Sequence, residues 1–376
     1  MKIILAMDSY KGCMTAAQCV SIVSCALHDV MPDVETGSFP MADGGEGTVE
    51  CLVDATKGRT ESVNVTGVFG EKLSGFYGIL GDNSTAVVES ACASGIQGIE
   101  KDKLDPLAAS SFGTGQIIAE VLKKGFRNVI IGFGGTATSD GGMGALSALG
   151  MRFYDKNNCL LAPSGRAMAQ VDRIDNSQLM KEIAGASFTF ACDVENVYYG
   201  RTGAAYVFAP QKGADKDAVL ELDAGLKNMS DKFIKYLSKD ISQRKSAGAA
   251  GGLAGGLMTV CEPVIKSGFD VILNSTGLEK AISSCDLVIT GEGKTDRQTS
   301  YGKLPYRVGL LSKKYKKPVI CISGAVTEEA EELKDHGITA LFSIANGPMT
   351  LEESIRNSQN LLYQEAKNIA GLISIM

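Results

Sequence analysis

The sequence predicts an α/β protein in which both chain ends build one parallel-sheet domain and the middle of the chain forms a second, mixed α/β domain inserted into it. Strands and helices alternate over residues 1–58 and again over residues 271–376, which is typical of a parallel sheet. Between them, residues 59–270 begin with three strand-like runs separated only by turn residues, which favours an antiparallel meander. With 376 residues, the chain is long enough to bury two hydrophobic cores.

The first elements form a β-α-β-α unit. A strand is predicted at KIILAM, and it ends at Asp8. Thr15 and Gln18 have the spacing of a capping box, so we expect a helix to begin there, with apolar residues at helical spacing after it. A short strand near residues 34–39 and a helix that ends near Ala55 complete the unit.

The inserted segment is predicted to open with the strands RTESVNVT, EKLSGFYGIL and STAVVES. We expect a helix next that Asp105 caps, that Pro106 opens and that closes at Gly125. A strand then leads into the glycine-rich loop GFGGTATSDGGMG (132–144) and a short helix that contains Asp140. Further on, the run GAAGGLAGGL fits either close helix packing or a helix start that faces a phosphate.

The strand–helix alternation returns near residue 271. Strands are predicted at DLVIT (286–290), PVICIS (318–323) and ITALFSI (338–344). Together with the two N-terminal strands they give the order 2-1-3-4-5 of a flavodoxin-like domain, in which ligands bind outside the carboxyl ends of the strands where the strand order reverses. The loops DSYKG (8–12) and GEGKTDRQ (291–298) would meet at this edge, and the inserted domain would close over it to form a cleft.

Charge and composition narrow the classes of partner. The net charge of −6 disfavours nucleic acid, because a phosphate backbone is bound mainly through clustered Lys and Arg. No apolar stretch approaches the ~18 residues of a membrane span, and the N-terminal apolar run is too short for a signal peptide. The ten cysteines contain no C-x-x-C pair, which is typical of free thiols in a reducing cytosol. We therefore expect a cytoplasmic protein that contacts neither nucleic acid nor membrane.

Histidine offers little for catalysis in this sequence. Only His28 and His336 are present, far apart along the chain, so neither a zinc site nor a Ser-His-Asp triad is expected. Acid–base chemistry must then come from carboxylates or lysines. The sequence contains no Walker A pattern and no protein-kinase motif set, so no general phosphoryl-transfer motif identifies a reaction.

Polar residues concentrate in loops at predicted strand ends. In residues 8–12, Lys11 precedes a helix start, where backbone amides and the helix dipole favour an anion. The loops at 42–48 and 291–299 add further glycine and charged residues, and Asp193 ends a buried strand. Each has a structural alternative, which is a capped turn, a solvated charged loop, or an aspartate that caps the next turn. The residue types alone do not separate these interpretations.

Five motifs, taken together and in order, resemble the signatures of the bacterial class I glycerate kinases. They are DSYKG, PMADGGEGT, GFGGTATSDGGMGAL, DVENVYYGRTGAAYVFAPQKGA and GEGKTDRQTSYGKLP. The resemblance covers residues 1 to about 323 with order and spacing intact. It implies ATP-dependent phosphorylation of D-glycerate to 2-phospho-D-glycerate with Mg²⁺, and a two-domain architecture that agrees with the fold predicted above. The oligomeric state stays open.

The resemblance implies roles for individual residues in phosphoryl transfer, which depends on positioning and charge neutralisation. We assign Lys11 and Lys294 to phosphate or carboxylate charge. Asp193 or Asp296 would accept the substrate hydroxyl proton, and the other would help to hold Mg²⁺. The expected substrate-binding residues, with Ser9 hydrogen-bonded to glycerate, are Asp8, Ser9, Asp43 and Lys294. The expected nucleotide-binding residues are Gly134, Gly135, Thr136, Gly291 and Gly293.

The glycine loop also matches a different cofactor pattern. Gly132-x-Gly134-x-x-Ala137 fits the G-x-G-x-x-G/A fingerprint of dinucleotide-binding folds, and Asp155 lies 18 positions past Ala137. The loop lies in the inserted domain, however, and Asp140 in the following helix would repel a pyrophosphate unless a cation intervened. A triphosphate or glycerate contact bridged by Mg²⁺ therefore fits better. A nicotinamide-dependent oxidoreductase and a nucleotide-sensing regulator without turnover are the alternatives.

Overall fold

The computed structural model describes residues 1–42 and 47–375. Its strands are β1 (Lys2–Met7), β2 (Glu35–Pro40), β3 (Arg59–Thr66), β4 (Lys72–Ile79), β5 (Thr85–Glu89), β6 (Asn128–Gly132), β7 (Arg152–Tyr154), β8 (Arg173–Asp175), β9 (Ser187–Ala191), β10 (Val264–Lys266), β11 (Leu287–Gly291), β12 (Lys294–Thr295), β13 (Val319–Ser323), β14 (Ala325–Val326) and β15 (Ala340–Ser343). Its α-helices are α1 (Ala16–Val30), α2 (Thr48–Thr56), α3 (Ala91–Ser94), α4 (Phe112–Lys123), α5 (Met143–Ala148), α6 (Ala204–Phe208), α7 (Lys216–Leu237), α8 (Leu253–Leu257), α9 (Gly268–Thr276), α10 (Leu278–Ser283), α11 (Leu304–Lys314) and α12 (Leu351–Ser374).

The chain forms two compact units. The first, called the end unit here, comprises Met1–Asp43, Glu50–Thr56 and Phe269–Met376. The second, called the middle unit, comprises Gly44–Val49 and Lys57–Gly268. The domain boundaries expected from the sequence, after residues 58 and 270, stay a prediction, because compactness alone does not show that either unit folds by itself. We propose that both units do.

The end unit is built on a five-stranded sheet with the order β15-β13-β11-β1-β2, in which every pairing is parallel. Numbered along the unit, this is the order 2-1-3-4-5 of a flavodoxin-like fold, so the predicted fold class is confirmed. The interior strand β1, which lies between β11 and β2, is apolar and fully buried from Ile3 to Met7, which is typical of a parallel strand covered on both faces. The loop that follows the carboxyl end of β1 can therefore contribute to a site at this edge of the sheet.

The middle unit contains a six-stranded mixed sheet with the order β10-β9-β6-β5-β4-β3. Strands β3, β4 and β5 pair antiparallel, as the predicted meander requires, whereas β5, β6, β9 and β10 pair in parallel. The apolar side chains of α4 and of β6 lie in one buried cluster with those of α5 and α7. The loop that follows β6 is thus held at the carboxyl end of a central strand.

The helix expected to begin at Asp105-Pro106 begins later, at Phe112, and this part of the prediction is wrong. The Asp105 carboxylate accepts hydrogen bonds from the amides of Leu107 at 2.9 Å and Ala108 at 3.2 Å, so it closes a single turn. The same residue pair suits a helix start and an isolated turn, because both need an acceptor for free amides. The predicted end of the helix, at Lys123 before Gly125, agrees with the structure.

No helix in the described part of the chain is long and apolar enough to cross a membrane.

All ten cysteines are free thiols. Burial raises the pKa of Cys19 and of Cys261 to about 12 and that of Cys321 to about 11, so these thiols stay protonated at neutral pH.

Two glycines of the end unit should respond in opposite ways to alanine. A Cβ on Gly291 would lie 1.8 Å from the carbonyl oxygen of Ile322 on the neighbouring strand, so Gly291→Ala must push β11 and β13 apart and should destabilise the protein by about 2–3 kcal/mol. Gly371, inside α12, has nothing within 4 Å of that position, so Gly371→Ala should stabilise by about 0.5–1 kcal/mol. Urea unfolding midpoints at constant m-value measure both. Equal midpoints for Gly291→Ala and the parent would contradict the packing argument.

Candidate functional site

The carboxyl ends of β1 and β11 bring two predicted site loops side by side. The strands pair in parallel, with Met7 opposite Gly291, and the amide of Asp8 donates to the carbonyl oxygen of Gly291 at 2.9 Å. Asp8 and Glu292 therefore leave the sheet as neighbours although they are far apart in sequence. This is the edge at which the strand order of such a sheet reverses.

A cavity of about 420 Å³ lies at this edge of the end unit, lined by both loops and by the first turns of α11 and α12. Five of the residues predicted for the site line it, namely Asp8, Ser9, Lys11, Gly293 and Lys294. Glu292 and Lys303 line it too, so three lysines and two carboxylates share one cavity. The excess of positive charge suits an anionic ligand.

Tyr10 fixes the first of these loops. Its hydroxyl donates to the carbonyl oxygen of Ile322 at 2.7 Å, and its amide donates to the Met14 carbonyl oxygen at 2.9 Å. Burial raises the pKa of Tyr10 well above its usual value, so the hydroxyl remains a donor across the physiological range. With Tyr10 held inward, the neighbouring Lys11 is exposed and lines the cavity.

Glu292 is a buried carboxylate that lines the cavity. Its Oε1 accepts from the hydroxyls of Thr299 at 2.6 Å and Thr295 at 3.2 Å, and its Oε2 lies 4.0 Å from the Lys303 ammonium. Burial raises the pKa of Glu292, and the two hydroxyls and Lys303 only partly oppose this. The sequence showed Glu292 as one charge in a polar loop but gave it no role, because burial cannot be read from a loop composition.

Asp296, predicted as a base or a metal ligand, has a different environment. Partial burial alone would raise its pKa, but hydrogen bonds from Lys294 and from the Gln298 amide hold the pKa below its usual value. The distances are 3.3 Å to the Lys294 ammonium and 2.9 Å to the Gln298 amide. Lys294 lines the cavity, and Asp296 acts on the cavity through its ion pair with this lysine.

The predicted glycines of the end unit differ in what their backbone requires. Gly291 is buried at the end of β11, and its contact with Ile322 is by itself a sufficient reason for glycine. At Gly293 a Cβ would lie 3.4 Å from the amide nitrogen of Lys11 and from the Cα of Tyr10, which is ordinary contact. Packing within the protein therefore does not by itself require glycine at position 293.

In the middle unit, the loop after β6 contains the predicted residues Gly134, Gly135 and Thr136. The Thr136 hydroxyl accepts from the Lys212 ammonium at 3.2 Å, and the same ammonium donates to the Thr138 carbonyl oxygen at 2.6 Å. Burial lowers the pKa of Lys212 to about 7, opposed in part by the charge of Asp140. Lys212 lies within a motif quoted above, yet nothing in the sequence indicated that it is buried.

Asp140 precedes the helix α5 and does not lie inside it, so its predicted placement is wrong. Its carboxylate accepts from the Ser111 amide at 2.7 Å, the Ser111 hydroxyl at 2.9 Å, the Gly144 amide at 3.0 Å and the Gly142 amide at 3.1 Å. Burial raises the pKa of Asp140, although these four donors oppose the effect. The carboxylate thus caps the start of α5, which leaves that helix end unsuited to a phosphate.

Two further predicted residues complete the comparison with the sequence. Asp193 is exposed after β9 in the middle unit, and its carboxylate accepts from the Gly268 amide at 3.1 Å. Asp296, its predicted counterpart, lies in the end unit. Asp43 lies outside the described residues.

Comparison with known proteins identifies relatives over the whole chain. A family model described as the glycerate kinase family matches residues 3–374. The chain is 40% identical over 375 residues to Glycerate 2-kinase of Escherichia coli K12, with 100% of this chain and 98% of that protein covered, and equally similar to Glycerate kinase of Bacillus subtilis 168. A crystal structure assigned as glycerate kinase 2 from Salmonella typhimurium LT2 superposes with a TM-score of 0.87 at 38% identity, covering 100% of this chain and 98% of that one.

The lowered pKa of Lys212 makes stability depend on pH. An unfolded lysine has a pKa near 10.5, so above about pH 7 the unfolded chain binds more protons than the folded one, and stability should rise with pH. The slope approaches about 1.4 kcal/mol per pH unit. Lys212→Met should lack this rise. Urea unfolding between pH 7 and 8.5, below the usual thiol pKa of 9.0, measures the difference, and parallel curves would contradict it.

Proposed function

The chain belongs to the glycerate kinase family and is a phosphotransferase, and from this premise we propose that it transfers a phosphoryl group from ATP to D-glycerate. The observation that carries the proposal is the family match over residues 3–374, which includes every loop described above. The name of the Escherichia coli relative, Glycerate 2-kinase, supports the 2-hydroxyl as the acceptor and 2-phospho-D-glycerate as the product. Because the glycerate kinase family model matches residues 3–374, the nicotinamide-dependent oxidoreductase is no longer a candidate function.

Substrate binding is proposed for the cavity of the end unit. Phosphoryl transfer depends on positioning and charge neutralisation more than on covalent chemistry. Lys11 and Lys294 supply positive charge for a carboxylate or a phosphate. The Ser9 hydroxyl, which donates to the Asp8 carboxylate at 3.3 Å, can accept a hydrogen bond from glycerate. The support for these roles is that all four residues line one cavity. Asp43, the remaining predicted substrate residue, is part of the proposal on the sequence motif alone.

For the proton acceptor, the sequence left Asp193 and Asp296. Glu292 is a third candidate, and the geometry supports it better. A base is stronger when its pKa is higher, and burial raises the pKa of Glu292, whereas hydrogen bonds lower that of Asp296. Glu292 also lines the cavity together with Ser9 and Lys11. We therefore propose that Glu292 accepts the proton of the glycerate hydroxyl.

Magnesium is proposed as the metal that accompanies ATP. Within the described residues no group of three or more His, Cys, Asp or Glu side chains is arranged to hold a metal ion. Mg²⁺ usually takes one or two carboxylates together with phosphate oxygens and water, so a smaller donor set suffices. The Asp8 carboxylate lines the cavity and would be one such donor. When bound, the ion would neutralise charge on the phosphates.

We propose two glycine-containing loops as candidates for nucleotide contact, each within its own unit, namely Gly134–Thr136 in the middle unit and Gly291–Gly293 in the end unit. The support is the presence of glycine where close backbone approach is needed, most clearly at Gly293, whose surroundings in the protein accept a Cβ.

We also propose a cytosolic location for the protein, as expected from the cysteine pattern.

Purified protein should release ADP only when ATP, D-glycerate and Mg²⁺ are all present, because the transfer needs acceptor and charge neutralisation together. A coupled ADP assay with each component omitted in turn tests this. L-lactate, which lacks the second hydroxyl, should be a poor substrate. The ³¹P signal of the product should split into a doublet, since the carbon at position 2 carries one hydrogen. ADP release that ignores glycerate would refute the proposed function, and a product phosphorylated at carbon 3 would refute the proposed acceptor.

Replacement of the proton acceptor should reduce kcat/KM strongly while the fold is kept. Glu292→Gln retains the shape and an acceptor for Thr299, and loss of a general base should lower kcat/KM roughly 10²–10⁴-fold. Asp296→Asn should cost less. Glu279→Gln, at an exposed ion pair with Lys314 in the same unit, is the matched control and should change little. If Asp296→Asn carries the large loss and Glu292→Gln does not, the choice of Glu292 is wrong.

A further inference from the structure

Lys212 is a buried cation whose two hydrogen-bond acceptors are both uncharged. The residue is 2% exposed, and its ammonium donates to the Thr138 carbonyl oxygen and to the Thr136 hydroxyl. An ammonium has three N–H donors. Among the residues that the structure describes, none accepts from the third donor, and no carboxylate lies within ion-pair distance. Burying a charge in this way is unfavourable, and departures of this kind are expected mainly at functional sites.

The loop beside this lysine supplies further donors. Within the described part of the chain, no group accepts a hydrogen bond from the amides of Gly134 or Gly135. Gly135 is exposed and has φ of +68°, a conformation that favours glycine. Thr136 accepts from the lysine, so its own hydroxyl proton is available. The hydroxyls of Thr138 and Ser139 are buried without a partner.

We propose that Lys212, the Thr136 hydroxyl and the amides of Gly134 and Gly135 bind an anionic oxygen of the reactants, either on a nucleotide phosphate or on the glycerate carboxylate. The choice between these two anions rests on the proposed function, whereas the site is defined by its donors. An anion would supply the third acceptor and compensate the buried charge. Lys212 is then a ligand-binding residue in addition to those expected from the sequence.

The site should bind anions less tightly as the pH rises. Only the protonated lysine attracts an anion, and with a pKa of about 7 it loses its proton across the neutral range. Asp140, whose carboxylate caps α5, is the charged group that partly opposes the lowered pKa of Lys212. Tyr198 interacts with Asp140, and its hydroxyl donates to the Gly141 carbonyl oxygen at 2.8 Å. Burial raises the pKa of Tyr198 well above its usual value, so Tyr198 keeps its proton in this range.

Calorimetric titration of the intact protein with three probes tests the proposal. Sulfate reports the bare anion site, because its charge is constant between pH 6.5 and 8.5. ADP and D-glycerate report the two natural sources of the anion. The variants are Lys212→Met, which keeps the length of the side chain without its charge, and Lys227→Met as a control at an exposed ion pair with Asp231. Urea unfolding of each variant reports whether the fold is kept.

For Lys212→Met we expect at least tenfold weaker binding of sulfate and of either ADP or D-glycerate, with folding stability equal to or above that of the parent. Loss of ADP binding identifies the phosphate as the anion, and loss of D-glycerate binding identifies the carboxylate. Unchanged affinity for all three probes would overturn the proposal. Lys227→Met should bind all probes as the parent does.

The parent protein provides an independent readout if Lys212→Met fails to fold. Its affinity for sulfate should fall about tenfold or more between pH 6.5 and 8.5, since each pH unit above the pKa removes up to tenfold of the protonated form. A flat profile would overturn the proposal, because a lysine that only supports the loop would not impose this dependence. These are binding measurements, so normal binding without any phosphoryl transfer would contradict the proposed function and leave this site intact.

Discussion

The carbonyl oxygen of Ile322 is the point on which the geometry of the end unit depends. It accepts the Tyr10 hydroxyl at 2.7 Å, and it approaches Gly291 so closely that no side chain fits there. One buried acceptor therefore fixes the loop after β1 and the spacing of β11 against β13. The parallel pairing of β1 with β11 then sets Asp8 next to Glu292, so both loops enter the cavity in a defined register.

The two units hold their lysines in contrasting ways. In the end unit, Lys11 and Lys294 are exposed beside the cavity, where a cation is well solvated and attracts an anion without destabilising the fold. In the middle unit, Lys212 is buried against neutral oxygens, which lowers its pKa to about 7. Such a cation destabilises the unliganded protein, but it interacts strongly with an anion because little solvent screens it. In the roles proposed above, the same residue type serves long-range attraction in one unit and strong local binding in the other.

Much of the fold follows from local pattern. Continuous apolar runs identified β1, β11 and β13, and the capping box at Thr15 identified the start of α1, where the structure has both reciprocal hydrogen bonds. The errors arose where one local pattern serves two structures. Asp105 caps a turn in place of a helix, and Asp140 lies before α5 because its carboxylate is held by Ser111, which is distant in sequence. The hydrogen-bond donors that each of these two carboxylates contacts cannot be read from a window of a few residues.

The sequence by itself determined the order of the strands, the position of the glycine-rich loops at their carboxyl ends and, through its motifs, the family. It did so because alternation, capping and turn chemistry act between residues close in the chain. Only the tertiary structure decided which charged groups are buried. Lys212 contacts Thr136 across 76 residues, and the Glu292 network reaches Ser323 through Thr295. The pKa of each group depends on such remote neighbours and on the solvent they exclude, and neither is encoded in any short stretch of sequence.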